Sequence, residues 1–316
     1  ATLIVYNAKI AAGQGDDFAQ ALAVRDGKFL AVGANDEVKA HAGSRTRIID
    51  AGGRTVIPGL NDSHSHVIRG GLNYALELRW DGVTSLKQGM AMLKEQAART
   101  PEGYWIKVVG GFGEYQFEER RLPTLAELNA AVPDKPVMLA FLYTYGMLNQ
   151  KGIEVLGYDK DTRFPGGVVE LGPDQKPTGM LLAKPGAAII YFTLIKTGKL
   201  SPEDQVLSTR HFLRQLNRLG MTSALDAGGG GQFFPENYQA MRTLAERREM
   251  TLRVGYYIFN ANRPGEELES WQQYLGMVQP GEDYDMFRPN GYFLCGAGEN
   301  IVWSAGDFEN FNAPRP

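Results

Sequence analysis

The chain has little of several things, and each scarcity closes off a class of protein. Among 316 residues there is one cysteine, Cys295, so no intrachain disulfide can form. There is no excess of basic charge: net charge is -3 and the pI is near 5.9, which leaves no basic face for nucleic acid or an anionic membrane. Long hydrophobic runs are missing too. The longest, around Gly186–Ile195, falls short of the about 20 apolar residues that span a bilayer. The numbering opens almost directly on a strand-like segment with no charged-then-apolar leader, so the expectation is a cytoplasmic enzyme, with a periplasmic origin left open by a removed leader. With 43% hydrophobic residues, 38 glycines and 16 prolines, the composition suits a turn-rich α/β enzyme with a large core, in one big domain or two smaller ones.

Histidine is also scarce, with four in the chain, which makes the placement of two of them informative. His64 and His66 end the apolar stretch Val56-Ile-Pro-Gly-Leu-Asn-Asp-Ser-His-Ser-His66. Side chains alternate along a strand, so positions 64 and 66 share a face, which is a spacing for metal ligands. The competing reading is a pair of exposed histidines at a strand end. Asp62 shares the face, where its carboxylate would orient an imidazole by accepting the second ring N–H. His211, opposite the apolar stripe of its helix, and His41 read as surface or structural residues.

Residues 1 to about 57 alternate short apolar strands with turn dipeptides. Ala21–Arg25, Asp26-Gly27 and Lys28–Gly33 form a hairpin signal. Beyond residue 58 strand-like and helix-like segments alternate, the signature of a parallel sheet with crossovers. Strands are expected at 56–62, 221–226, 252–259 and 291–298. A helix is expected to open at Ser201 as N-cap with Pro202 at its first position, to stop at Gly220, and to carry the stripe Val206, Phe212, Leu213, Leu216 and Leu219. Between the first two strands an insertion of about residues 80–200 includes Tyr104–Gly110, Val137–Tyr145 and a hairpin from Gly166 to Leu182. Its aromatics Phe112, Tyr115, Phe117, Tyr143 and Tyr145 suggest a partly apolar pocket, or equally the insertion's own core. The run Gly228–Gly231 lacks the lysine and Ser/Thr of a phosphate loop and reads as a loop after the second strand.

Several stretches, in order, carry a family resemblance: Leu3–Ile10, Asp50–His66, Trp105-Ile106, Leu122–Val137, Pro177–Leu181 and Leu219–Asp226. Together they resemble the amidohydrolase superfamily, and within it the amidohydrolase 3 (YtcJ-like) group. The resemblance implies a TIM-like (β/α) barrel, with about its first four strands present, beside a small N-terminal β-sandwich portion. It implies metal-dependent hydrolysis of an amide or related C–N bond in a small-molecule substrate, with zinc or another divalent metal as one or two ions. His64 and His66 are then metal ligands, and Asp226, ending the second strand, a supporting carboxylate. The superfamily's usual lysine on the fourth strand is replaced here by Phe293 or Leu294, which leaves Glu299 or Cys295 as a substitute ligand. Where the group often has a histidine ahead of the position of Asn149, this chain has Thr144. No histidine follows residue 211. The expectation is therefore an oligomer, or a second chain or C-terminal half that completes the barrel; the alternative is a non-catalytic binding or regulatory module that keeps half of the fold.

Overall fold

The structure, a computed structural model, describes residues 1–11, 17–141, 144–164, 166–184, 186–228, 232–259, 269, 272–274, 276–277 and 285–293. The chain divides into two compact units, Ala1–Asn61 and Asp62–Pro316.

The first unit holds β1 (Leu3–Tyr6), β2 (Lys9–Ala11), β3 (Phe18–Ala19), β4 (Ala21–Arg25), β5 (Lys28–Gly33), the short helix α1 (Asn35–Lys39), β6 (Arg47–Asp50) and β7 (Thr55–Val56). They make two small sheets, ordered β5-β4-β1-β6 and β3-β2-β7. Ala8, Ile10, Leu22 and Ala51 are buried together, so residues of both sheets share a core. This is the part of a sandwich that is visible. The β4–β5 hairpin turns at Asp26-Gly27, where φ is +51° and +72°. Both central residues need positive φ in a type I′ turn, which Asp tolerates and Gly adopts freely.

The strand expected at 56–62 is split in two. Val56 pairs with Ile10 as part of β7, and a new strand, β8, runs Leu60–Ser65. The break falls at Pro58-Gly59, where proline offers no N–H to a ladder.

The second unit continues with α2 (Val67–Asn73), β9 (Glu77–Leu78), α3 (Leu86–Arg99), β10 (Ile106–Val109), α4 (Leu125–Ala131), β11 (Val137–Phe141), β12 (Tyr145–Leu148), α5 (Gln150–Leu156), β13 (Val168–Leu171), β14 (Pro177–Leu182), α6 (Ala188–Lys196), α7 (Pro202–Arg218), β15 (Met221–Asp226), α8 (Gln239–Glu246), β16 (Arg253–Phe259) and β17 (Phe287–Phe293). The insertion is a six-stranded mixed sheet ordered β13-β14-β12-β11-β10-β9. Its central strand β11 is apolar throughout because both faces are covered: Val137 and Leu139 join Trp80, Leu93, Ile106 and Leu128, while Met138 and Ala140 join Leu148, Ile153, Leu181 and Ile189. Phe112 and Phe117 belong to the first of these cores, whereas Tyr115 is exposed. The expected aromatic pocket is therefore partly core packing, although Phe141 and Tyr145 stack at 4.9 Å.

Asn149 is wholly buried and spends its whole carboxamide on backbone: Oδ1 accepts from the Val137 and Gly152 N–H groups, and Nδ2 donates to the Val132 and Lys135 carbonyls. Helix α4 opens with a reciprocal cap between Thr124 and Glu127, whose carboxylate also takes two hydrogen bonds from Arg121 at 2.8 Å. The Arg121 guanidinium holds the Glu127 carboxyl at about 2, down from 4.5. A lowered value means stability that is complete above 4.5 and lost as pH falls toward 2. Glu127→Gln should destabilise the chain at pH 7 by about 1 kcal/mol, because solvent screens a pair this exposed. Urea titrations should show that deficit shrinking between pH 4.5 and 3; a deficit independent of pH would refute the account.

The remaining sheet is ordered β17-β16-β15-β8. Strands β15, β16 and β17 are parallel neighbours in chain order, and β8 flanks β15. Helices α2, α7 and α8 contribute Ile68, Leu72, Leu213, Leu244 and Ala245 to a core shared with Val254, Tyr256 and Phe287. The fourth strand lies at 287–293, a few residues before the expected 291–298. Among the described residues four strands line up and no closed barrel forms, so the observed class is a mixed α/β fold. Leu219, expected on the apolar stripe of α7, is 59% exposed, since the helix ends at Arg218 and the chain turns away at Gly220, φ +87°.

Candidate metal centre

The site is built where β8 runs into α2 beside the end of β15. His64 is the next-to-last residue of β8, and His66 is the N-cap residue of α2, with φ -120° and ψ 60°. Strand alternation thus stops between them, yet their ring centres lie 5.7 Å apart at an interplanar angle of 79°. That spacing fits shared coordination: zinc sits about 2.0–2.1 Å from an imidazole nitrogen, and two rings at a tetrahedral angle on one ion have centres about 5 Å apart.

His66 is half-buried and its Nδ1 contacts the Gly228 carbonyl oxygen. Since the carbonyl only accepts, Nδ1 carries the proton and Nε2 keeps the lone pair that a metal needs. Burial, aided by the Arg69 cation, holds the His66 ring below the ordinary histidine range and so favours the neutral form.

Helix α2 reaches this position because it packs tightly on α7. A Cβ at Gly71 would lie 3.0 Å from Thr209 Oγ1, and the Ser208 hydroxyl donates to the Gly71 carbonyl at 2.6 Å. A larger residue at 71 would push α2, and with it His66, off α7.

Asp226, the last residue of β15, is fully buried. Its Oδ2 accepts from the Ile68 N–H at 2.8 Å, and its Oδ1 accepts from the Gly228 N–H at 2.9 Å and from Gln232 Nε2 at 3.1 Å. Burial pushes its carboxyl up, against those three hydrogen bonds and the nearby His66. Asp226 therefore ties the start of α2 to the loop that follows β15, and this same loop presents the Gly228 carbonyl to His66. The strand edges meet here as well: the Ala227 N–H donates to the Ser65 carbonyl at 2.8 Å.

Asp62 does something different from the expected role. Its Oδ1 accepts the backbone N–H of His64 at 2.9 Å, a local turn two residues long. A short side chain next to an unpaired backbone N–H closes that ring more readily than it reaches an imidazole. His211 and His41 are exposed. Glu299, Cys295, Tyr143 and the glycines at 229–231 lie outside the described residues. Among the described residues no group of three or more His, Cys, Asp or Glu comes together as a metal site.

Two contributors escaped the sequence reading. The Gly228 backbone carbonyl has no side-chain signature. Gln232 is 1% exposed, and its Oε1 has no hydrogen-bond partner among the described residues while its Nε2 is held by Asp226. The only clue was its position six residues after Asp226.

A model of the amidohydrolase family matches residues 47–314. N-substituted formamide deformylase of Arthrobacter pascens is 28% identical over 52% of this chain and 31% of its own length. YtcJ of Bacillus subtilis strain 168 is 30% identical over 53% of this chain and 32% of its own. The chain thus spans about a third of these curated relatives. The crystal structure of a metal-dependent hydrolase from Pyrococcus horikoshii OT3 superposes with a TM-score of 0.58 and 19% identity, over 92% of this chain and 53% of that one, a likeness of fold. The match over residues 47–314 makes this chain a member of the amidohydrolase family.

Proposed function

We propose that the chain carries the front half of a metal-dependent amidohydrolase that cleaves an amide or related C–N bond in a small molecule. The observation that carries the reading is the His64–His66 pair, 5.7 Å apart, with the proton of His66 placed on Nδ1 by the Gly228 carbonyl. A divalent metal bound there, zinc by preference, would supply Lewis acidity and a water of near-neutral pKa. Nε2 of His66 would be the ligand atom, and His64 would supply the second imidazole. Asp226 acts on His66 at one remove, by holding the loop that aims the Gly228 carbonyl. Glu299, six residues past the end of the fourth strand in sequence and outside the described residues, is the proposed carboxylate ligand. The remaining ligands and the general base belong to a segment or second chain that completes a (β/α) barrel, in an oligomeric, cytoplasmic enzyme.

Among the described residues two ligands are few for a catalytic ion, and that observation favours a second reading, a non-catalytic binding or regulatory module on the same fold. One experiment separates them. The purified chain is stripped with a chelator, reloaded with Zn2+, and assayed against N-formyl and N-acyl amines, with the mass of the assembly measured under native conditions. Hydrolysis that vanishes on stripping and returns on reloading, in a particle heavier than the 34.8 kDa monomer, supports the enzyme. Tight metal binding by a lone monomer with no turnover supports the module.

A further inference from the structure

Away from the histidine pair, a groove of about 430 Å³ runs between the 3-10 turn Tyr74–Leu76 and the C-terminal half of α7. It is lined by Tyr74, Ala75, His211, Arg214, Gln215 and Arg218, so among the described residues no carboxylate faces it. Positions 211, 214, 215 and 218 are three, four and seven residues apart, which stacks them on one stripe of the helix.

The charge on that stripe is uncompensated. Arg210, just before it, is paired with Glu249, but Arg214 and Arg218 have no carboxylate partner among the described residues. Two like charges four residues apart repel, and a helix C-terminus accounts for a cation in the last turn, Arg218, but not for a column of cationic or protonatable side chains. The opposite wall is rigid: the Tyr74 ring contacts Phe212 at 5.3 Å and the Arg79 guanidinium at 4.9 Å, and Arg79 is itself anchored to Glu77 at 2.9 Å. A space of this size is in the range of small-molecule sites, about 300–1,000 Å³.

We propose that this groove binds a small phosphate-bearing anion, gripped by the Arg214 and Arg218 guanidiniums, with His211 and Gln215 as further donors and Tyr74 as an aromatic wall. Guanidiniums present paired N–H donors that match phosphate oxygens, and two of them a turn apart suit a ligand with several oxygens better than a lone carboxylate. The inference is independent of the catalytic reading, since none of these residues touches the histidine pair.

Titration calorimetry with inorganic pyrophosphate as probe tests it, at ionic strength fixed with chloride, using the full chain. The expected result is saturable 1:1 binding that weakens about tenfold or more in Arg214→Gln/Arg218→Gln. It should persist in Arg247→Gln, an exposed arginine outside the groove lining, and in His66→Ala, which excludes capture by metal at the histidine pair. Unchanged binding in the double variant, equal weakening in Arg247→Gln, loss in His66→Ala, or malonate binding as tightly as pyrophosphate would each overturn the proposal.

Discussion

If the proposed centre holds a metal, His66→Ala is expected to abolish its high-affinity binding and, with it, the proposed hydrolysis. Two imidazoles bind an ion as a chelate, and a single remaining one competes poorly with water, so the affinity should fall by roughly 100-fold or more, beyond what loss of an orienting partner alone costs. His64→Ala should match it in metal affinity but not in stability. His64 is exposed and no hydrogen bond of its ring is among the described contacts, whereas His66 donates to the Gly228 carbonyl, so His66→Ala alone should lose about 1 kcal/mol more of folding stability. Metal content by mass spectrometry after gel filtration, with urea titrations of both variants, measures the two effects separately. If either alanine variant keeps native metal affinity, the shared site is wrong.

The largest loss of stability should come from Asp226→Ala. It would strand three buried donors at once: the Ile68 N–H, the Gly228 N–H and Gln232 Nε2. An unsatisfied buried donor costs about 1–3 kcal/mol, so a total of about 3–5 kcal/mol is expected, at the severe end for one substitution. The change should also loosen the loop that carries the Gly228 carbonyl, and metal affinity should fall by about 10-fold, the size of effect seen when a supporting partner of a ligand is removed. Asp226→Asn, with the same shape, should recover part of both. Denaturant melts and metal titrations of the two variants check this. A loss below about 1 kcal/mol in Asp226→Ala would mean that the three donors find other partners.

Much of the local structure is legible in the sequence. Asp26-Gly27 marked the hairpin; Ser201, Pro202 and Gly220 bracketed α7; β15 occupies the very span 221–226. These features are written in one stretch of chain, where caps, turns and periodicity act between near neighbours. What escaped depends on partners far along the sequence. The order of the six-stranded sheet has no local signature, because β11 reads as an apolar run whichever strands flank it. Asp62 could have turned to an imidazole or to the backbone beside it, and the residue type does not decide between them. Gly228 acts through its carbonyl, an atom every residue has. The end of a strand marks Asp226 in the sequence, but the α2 group it holds, the Ile68 N–H, lies 158 residues earlier, beyond the reach of pattern reading.

That separation bears on how the chain reaches its native state. The links from Ser65 to Leu225 and from His66 to Gly228 close loops of 160 and 162 residues, while the hairpin β13–β14 and the β11–β12 pair close loops of a few residues. Closing the long loop sets the entropy cost of assembly, and long-range contacts slow folding. The six-stranded sheet should gain amide protection early in refolding, and the histidine pair should be aligned only in the final step. Until then the chain has two separate imidazoles, and a metal ion added during refolding should speed only that last phase.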